Sequence, residues 1–374
     1  MCSSDLFETA PVSNGRGLER FIAFPYDHHR GDPQWVPQLR MDVRTLLSPR
    51  KNPFFRHAAA QYFVAQAGGR TVGRIAAIKN DAHNREHHDR VGFYGFFESI
   101  DDQTLANALF DTAAQWLRAQ GCDTMRGPMS PSINDECGLL VHGFDTPPTL
   151  MMPHNPPYYV TLHERYGFTK AKDLIAVESS SHHMPERLVR GAKLVAERRG
   201  ITLRALDMKR FAEEVELVKA LYNQAWEKNW GFVPLTDAEI DHLAKQLKPV
   251  VVPELVCFAE RAGKVIGFAV ALPDMNVALK HNPSGRLFPG VLKVLWHARR
   301  ITRLRVLLLG ALPEYRGTGV DALMYHWIWE KGNAKGYTWG EGGWILEDNV
   351  AMVNGARQLG FVPYKTYRIY DKRL

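Results

Sequence analysis

Two stretches of this chain read as one hairpin written twice: YFVAQAGGRTVGRIAAI from Tyr62 and VCFAERAGKVIGFAVAL from Val256. In each, an apolar strand runs into a short glycine-containing turn and a second strand follows. Gly73 and Gly267 lie 194 residues apart. A second pair, NPPYYVTLHERYGF (Asn155 to Phe168) and NVAMVNGARQLGF (Asn349 to Phe361), keeps an offset of 194 at its asparagine and 193 at its phenylalanine. A repeat of this length in 374 residues leaves room for two copies of one module, each the size of an ordinary domain. No other feature restricts the fold as much.

The copies diverge between these anchors. Helix TLANALFDTAAQWLRAQG ends at Gly121 and helix GVDALMYHWIWEKGNAKG at Gly336, so the offset has grown from 194 to 215. The second copy thus holds about 21 extra residues ahead of its helix, a basic segment around Phe288 to Arg303. The first copy recovers the length in RGPMSPSINDECGLLVHGFDTPPTLMMPHNPP. Insertions of this kind fall on loops, where function concentrates. The junction is expected in the polar, unpatterned SSSHHMPER (Ser179 to Arg187), giving modules 1–180 and 181–374.

In the second copy, strand ITLRAL leads to helix RFAEEVELVKALYNQAWEKN, whose apolar residues recur at helical spacing. Short helix TDAEIDHLAKQL, the hairpin and the basic insert follow. Then come strand RVLLLGAL, the turn EYRGTG, the helix to Gly336, strand YTWGEGGWIL, a helix from about Asn349 and a closing strand YKTYRIYD. This is an α/β chain of mixed α+β type, two modules in tandem, each an open mixed sheet flanked by helices.

Bulk properties exclude several classes. The chain is 45% hydrophobic and 23% charged, and no apolar run reaches the ~18 residues of a membrane span. MCSSDLFETA has no basic region followed by an apolar one, so no secretory signal is expected. Cys2, Cys122, Cys137 and Cys257 are scattered without a CxxC pair, which points to reduced thiols and a cytoplasmic location, with a membrane-peripheral one as the variant. The formal charge of +7 is concentrated locally, with six Lys/Arg and no acid between Arg286 and Arg305. No helix-turn-helix or RNA-binding signature accompanies it, so nucleic acid is not an expected partner. Leu292, Leu295 and Trp296 fall on one helical side of that segment among cations, a pattern suited to anionic lipid as well as to an ordinary helix covering the sheet. His83, His87 and His88 in HNREHHDR read as a solvated loop, and no metal site is expected.

The order of elements, with a phosphate-type turn after the fourth strand and an Asn…Gly-Phe helix after the fifth, resembles the GNAT superfamily of acyl-CoA-dependent N-acyltransferases. The resemblance covers most of 200–374 and, more weakly, 20–178. YNQAWEKNWGFVPLT, ALPDMN, GWILEDN, YRIYDK, GFYGFF and HNPPYY make the chain similar to a bacterial tandem-GNAT family that includes bacterial ceramide synthases. The superfamily turn, Gln/Arg-x-x-Gly-x-Gly/Ala, stands here as Glu314-Tyr315-Arg316-Gly317-Thr318-Gly319, with both glycines kept and the first position changed. The resemblance implies acyl transfer from acyl-CoA, the co-substrate, to a primary amine, with a long-chain sphingoid-type base among the acceptors. Acetylation of a small polar amine and a degenerate, non-catalytic acyl-CoA binder are the competing readings. The oligomeric state is not fixed by sequence.

Such a turn can hold a pyrophosphate. Gly317 and Gly319 let backbone N–H groups approach, the helix N-terminus adds partial positive charge, and Arg316 with Thr318 completes the expected cradle. At the 215 offset, Arg316, Gly317 and Gly319 fall on Asp101, Asp102 and Thr104, which suit a helix cap and repel phosphate. One cofactor per chain is therefore expected. Asp321 is expected to point to solvent on the first turn of its helix. N-acylation needs a base for the ammonium and a donor for the leaving thiolate. Glu341 and Glu347, six apart in GEGGWILEDN, share a face if the strand runs regularly to its end, and with Asn349 they form the candidate catalytic set. Asn349 also reads as a helix cap. Many GNAT enzymes place a tyrosine five residues before the helix phenylalanine; here Ala356 stands there, leaving Tyr158, Tyr159 or Asn354 as alternative donors. Asn134 and Glu136 in the first copy's insertion, Tyr158, and Asp274 with Asn276 in PDMN are the candidate substrate-binding residues.

Overall fold

A computed structural model describes residues 7–180 and 185–374, so Cys2 and the middle of the expected junction, 181–184, lie outside the described residues. The chain gathers into two compact units. The first comprises the chain through Leu174, Ala278–Trp296 and Lys365–Leu374, and the second Ile175–Val277 and His297–Tyr364. The sequence reading divides the chain once, near residue 180. Contacts return the basic insert, as far as Trp296, and the final strand from Lys365 to the first unit.

In the first unit, strand Ala58–Ala67 pairs antiparallel with Glu8–Pro11 on one side and Arg70–Asn80 on the other. The latter pairs antiparallel with Val91–Ser99, which pairs in parallel with Thr124–Gly127. Tyr370 to Arg373 add antiparallel to Thr124–Gly127. The helix Gln103–Ala119 covers this sheet through Leu105, Leu109, Phe110, Ala113 and Leu117, spaced to place one apolar stripe inward.

The second unit repeats the order. Ile201–Ala205, Val256–Arg261, Lys264–Pro273 and Arg303–Ala311 pair antiparallel in sequence, and Trp339–Leu346 adds in parallel to Arg303–Ala311. Strand alternation divides its core. Cys257, Ala259, Ala269 and Ala271 face Leu323, Met324 and Ile328 of the helix Val320–Ala334. Val256, Phe258 and Phe268 face Leu221 and Tyr222 of the helix Phe211–Trp226.

The repeat extends to registry. Gly73 is flanked by Ala65 and Ser99, Gly267 by Ala259 and Ala311, and each hairpin slips register beside this glycine, between Ala65 and Gln66 and between Ala259 and Glu260. A Cβ on Gly73 would lie 2.7 Å from Leu109, so the helix packs where the side chain is missing.

One expectation is overturned. HNREHHDR is no solvated loop: Asp81–His87 is a helix capped by Asn80, and His83 is 2% exposed against Phe93. Burial, with His87 beside it, lowers its pKa to about 3.

Candidate active site

Each unit contains a fork in its sheet. In the second, parallel pairing between Arg303–Ala311 and Trp339–Leu346 covers only Arg303 to Val306 against Trp339 to Gly342. Both strands run on beyond it, to Ala311 and Leu346. From Val306 to Gly310 this central strand is half-exposed. The counterpart in the first unit, Val91–Ser99, also stops pairing after three residues but is buried at every position except Phe96. There the chain itself closes the gap: a Cβ on Gly95 would fall 1.7 Å from the carbonyl oxygen of Met129.

The open strand of the second unit ends at the glycine turn. Gly317 and Gly319 have φ of +66° and +92°, left-handed conformations that glycine adopts without strain. A Cβ on Gly317 would meet nothing within 4 Å, so the space above it is open. Gly319 is the N-cap of Val320–Ala334 and supplies no side-chain cap, which leaves first-turn amides for an anion. The equivalent helix of the first unit is capped by Asp102, whose carboxylate accepts from Leu105 N–H at 2.9 Å.

Three residues of the turn behave differently from simple expectation. The Arg316 guanidinium donates to the carbonyls of Ala225 (2.8 Å) and Gln224 (3.5 Å), at the negative end of the helix Phe211–Trp226. The Thr318 hydroxyl donates to the Tyr315 carbonyl at 2.6 Å, bracing the turn. Asp321 is half-buried where solvent was expected; burial raises its carboxyl pKa, against the opposing charge of Arg316.

The candidate carboxylates are unlike one another. Glu341 is 0% exposed; its Oε2 accepts from the Tyr364 hydroxyl at 2.7 Å and its Oε1 lies 3.7 Å from Arg305 Nε. Arg305 in turn donates to the Gly343 carbonyl at 2.9 Å. Glu347 is half-exposed just past the strand's end. The buried positions Glu341 and Leu346 are five apart, so the regular alternation that would put Glu341 and Glu347 on one face does not hold. Asn349 caps the helix Val350–Gln358, accepting from Met352 N–H at 3.2 Å. Asp274 is 2% exposed beside Arg303 (3.6 Å), which lies over the Trp339 ring, and Asp274 accepts from the Asn276 N–H at 3.3 Å. A cleft in this unit is lined by apolar Leu304, Ile328 and Phe361 and by polar Ser179, Asn333 and Thr338.

In the first unit, Asn134 belongs to a half-buried turn, in which the Ser132 hydroxyl accepts from Asn134 N–H (3.2 Å) and donates to Asp135 (2.6 Å). Glu136 opens the short strand Glu136–Cys137 and accepts from Gln38. Tyr158 donates to the Ser99 carbonyl at 2.7 Å. Asn354 is exposed on its helix.

Sequence reasoning missed a polar cluster beside Tyr158. Glu98 Oε2 lies 2.9 Å from His29 Nε2 and accepts from the Tyr159 hydroxyl at 2.7 Å, while Oε1 lies 3.5 Å from buried Arg74. Tyr159 also accepts from Ser99 N–H at 2.9 Å and lies 3.0 Å from His28 Nε2. Burial alone would raise the Glu98 carboxyl, but His29, Arg74 and His28 hold it at about 2. Burial lowers His28 to about 4. His28, His29 and Glu98 bring ligating atoms within 4.8 Å of one another. The Tyr159 hydroxyl bridges this group and the Arg74 cation borders it, an arrangement suited to proton-shared bonds rather than a cation. The available signal was Arg74 within TVGRIAAI and Glu98 within FYGFFES, lone charges on apolar strands.

Both units have the sheet order and the glycine-turn position of a GNAT domain, and the second keeps the turn open, which defines the protein as a tandem GNAT acyltransferase. No model of a known protein family matches the chain. It is 39% identical over 373 residues to the bacterial ceramide synthase of Caulobacter vibrioides (strain NA1000 / CB15N), covering 97% of each protein. It is 35% identical over 368 residues to protein YghO of Escherichia coli (strain K12), covering 96% of this chain and 94% of that one. Among solved structures, a tandem GNAT protein from the clavulanic acid biosynthesis pathway superposes with a TM-score of 0.60 over 98% of each chain at 13% identity. The chain belongs to the tandem-GNAT family of the bacterial ceramide synthases.

Proposed function

We propose that the protein transfers an acyl group from acyl-CoA to the primary amine of an apolar, long-chain acceptor of the sphingoid type. The observation that carries this reading is the central strand left half-exposed from Val306 to Gly310, running directly into the uncapped glycine turn. The acceptor class rests on the likeness to the protein named a bacterial ceramide synthase.

In this reading the N–H groups at Gly317 to Asp321 hold the pyrophosphate, with Thr318 fixing the turn. The exposed strand edge offers backbone groups to the pantetheine amides. Bound acyl-CoA supplies an activated thioester. The amine must lose a proton to attack the thioester carbonyl, and half-exposed Glu347 is the proposed acceptor of that proton. As the N–C bond forms the C–S bond breaks, and the thiolate leaves as CoA and takes up a proton from solvent. Glu341 is proposed to act on the site through Tyr364 and Arg305, and Asn349 by fixing the helix that follows Glu347. Asp274 and Asn276 remain proposed substrate contacts in the second unit, as do Asn134, Glu136 and Tyr158 in the first. The two modules, 1–180 without a cofactor cradle and 181–374 with one, remain the proposed division of labour.

Thiol release, measured with short and long acyl-CoA donors against amines from small polar to long-chain, tests the reading. Turnover restricted to long-chain amino alcohols is expected, with one acyl-CoA bound per chain at equilibrium. Preference for small polar amines, or binding without thiol release, would overturn it.

A further inference from the structure

Four large apolar side chains stand exposed within nine residues: Phe288 (71%), Leu292 (66%), Leu295 (58%) and Trp296 (51%). The last three lie on the helix Gly290–Ala298 at i, i+3 and i+4, one outward face. A different face holds the helix in place, through Val294, which is 7% exposed. The helix is therefore apolar on two sides, and the outward one is exposed to solvent. The patch is no frayed loop. The segment leading to it is fixed within the first unit by Arg40, whose Nε donates to the Ser284 carbonyl (2.9 Å) and whose N–H donates to the Gly285 carbonyl (2.8 Å). Asn282, 2% exposed, donates to the Arg286 carbonyl at 2.9 Å.

The segment that carries the patch has one sign of charge: Lys280, Arg286 and Lys293 are exposed, and no carboxylate occurs from Ala278 to Trp296. Self-association through this face in a symmetric dimer would set cations against cations. A bilayer containing anionic lipid satisfies both components at once: headgroups take Lys280, Arg286 and Lys293, and the acyl boundary takes Phe288, Leu292, Leu295 and Trp296. We propose that this rigidly held face docks the protein on anionic membrane surfaces, lying in the interface without crossing it. No helix among the described residues is long and apolar enough to span a membrane. The docking does not depend on what the acceptor amine is.

The test is co-sedimentation of the full chain with vesicles of phosphatidylcholine alone or mixed with phosphatidylglycerol. Binding to the mixed vesicles only, weakening as salt rises, is expected. Leu292→Ser with Trp296→Ser should lower the partition coefficient at least about tenfold, since the apolar contact is lost. Arg286→Glu with Lys293→Glu should lower it as strongly at low salt and little at high salt. All four positions are exposed, so melting curves of the variants should match the parent. Equal binding to neutral vesicles, unchanged binding in both double variants, or a dimer that the serine variant dissociates without any vesicle binding would each overturn the proposal.

Discussion

Arg305 and Glu341 stand directly opposite each other on two parallel strands, Nε to Oε1 at 3.7 Å, with side chains 4% and 0% exposed. Glu341→Gln removes the charge that Arg305 was buried with, and is expected to cost about 3–5 kcal/mol in urea unfolding. Arg305→Met with Glu341→Leu removes both charges and should recover most of that loss. Turnover of this double variant separates two roles: restored activity makes Glu341 a structural partner, and a folded but inactive protein keeps it in the chemistry.

Gly317 allows a comparison in which strain is held constant. Its φ of +66° is one that asparagine and aspartate both tolerate, and no atom crowds the position. Gly317→Asn should leave the KM for acyl-CoA within a few-fold of the parent. Gly317→Asp adds a negative charge near the proposed pyrophosphate and should raise that KM by at least about tenfold, from a repulsion on the order of 1–4 kcal/mol. Equal KM values for the two variants would remove the pyrophosphate from this turn.

The Glu98 cluster predicts acid lability in two windows. His28 has a folded pKa of about 4, below its ordinary 6.5, so the unfolded chain binds its proton first. The stability gained by keeping it neutral is complete above pH 6.5 and is lost as pH falls toward 4. Glu98, held at about 2 against an ordinary 4.5, contributes above pH 4.5 and loses its contribution as pH falls toward 2. The second window is worth about 3 kcal/mol. Glu98→Gln should flatten the stability profile between pH 4.5 and 2. A profile that keeps its slope there would show that the carboxylate is not ionised in the fold.

Gly285 holds the basic insert in place. Its φ is +61°, and a Cβ would lie 2.3 Å from the Tyr26 ring and 2.5 Å from the Gln38 carbonyl. Gly285→Ala combines left-handed strain with this clash and should cost at least about 2 kcal/mol. Limited proteolysis near residues 280–290 is expected to speed up in that variant, because the anchor of the segment is lost.

How much of this was legible follows from what the sequence can encode locally. Gly73 and Gly267 were readable as matched positions of one repeat from their 194-residue offset, while the close approach at Gly73 depends on the helix packed over it. Asn349 was readable as a cap from its place before a helix. The Glu98 cluster was not, because His28, Arg74, Glu98 and Tyr159 meet only when four elements assemble. Arg305 with Glu341 failed for the same reason, since registry between strands decides their pairing. His83 misled because its neighbours His87 and His88 are exposed, and composition hid one buried ring among them. The Glu341 and Glu347 comparison failed because alternation breaks before the strand ends.

The covered strand Val91–Ser99 and its half-exposed counterpart bear on where the molecule must breathe. In the first copy the protein's own backbone, at Met129, occupies the gap, so the amides there can remain locked. In the second, on the proposed acyl-CoA path, each cycle of exchange would pass along Val306 to Gly310. Duplication has separated two demands that a single module would have to reconcile, permanence in one copy and traffic in the other. Amide hydrogens near Tyr94 and Phe97 should therefore outlast those near Leu307 and Leu309 by orders of magnitude.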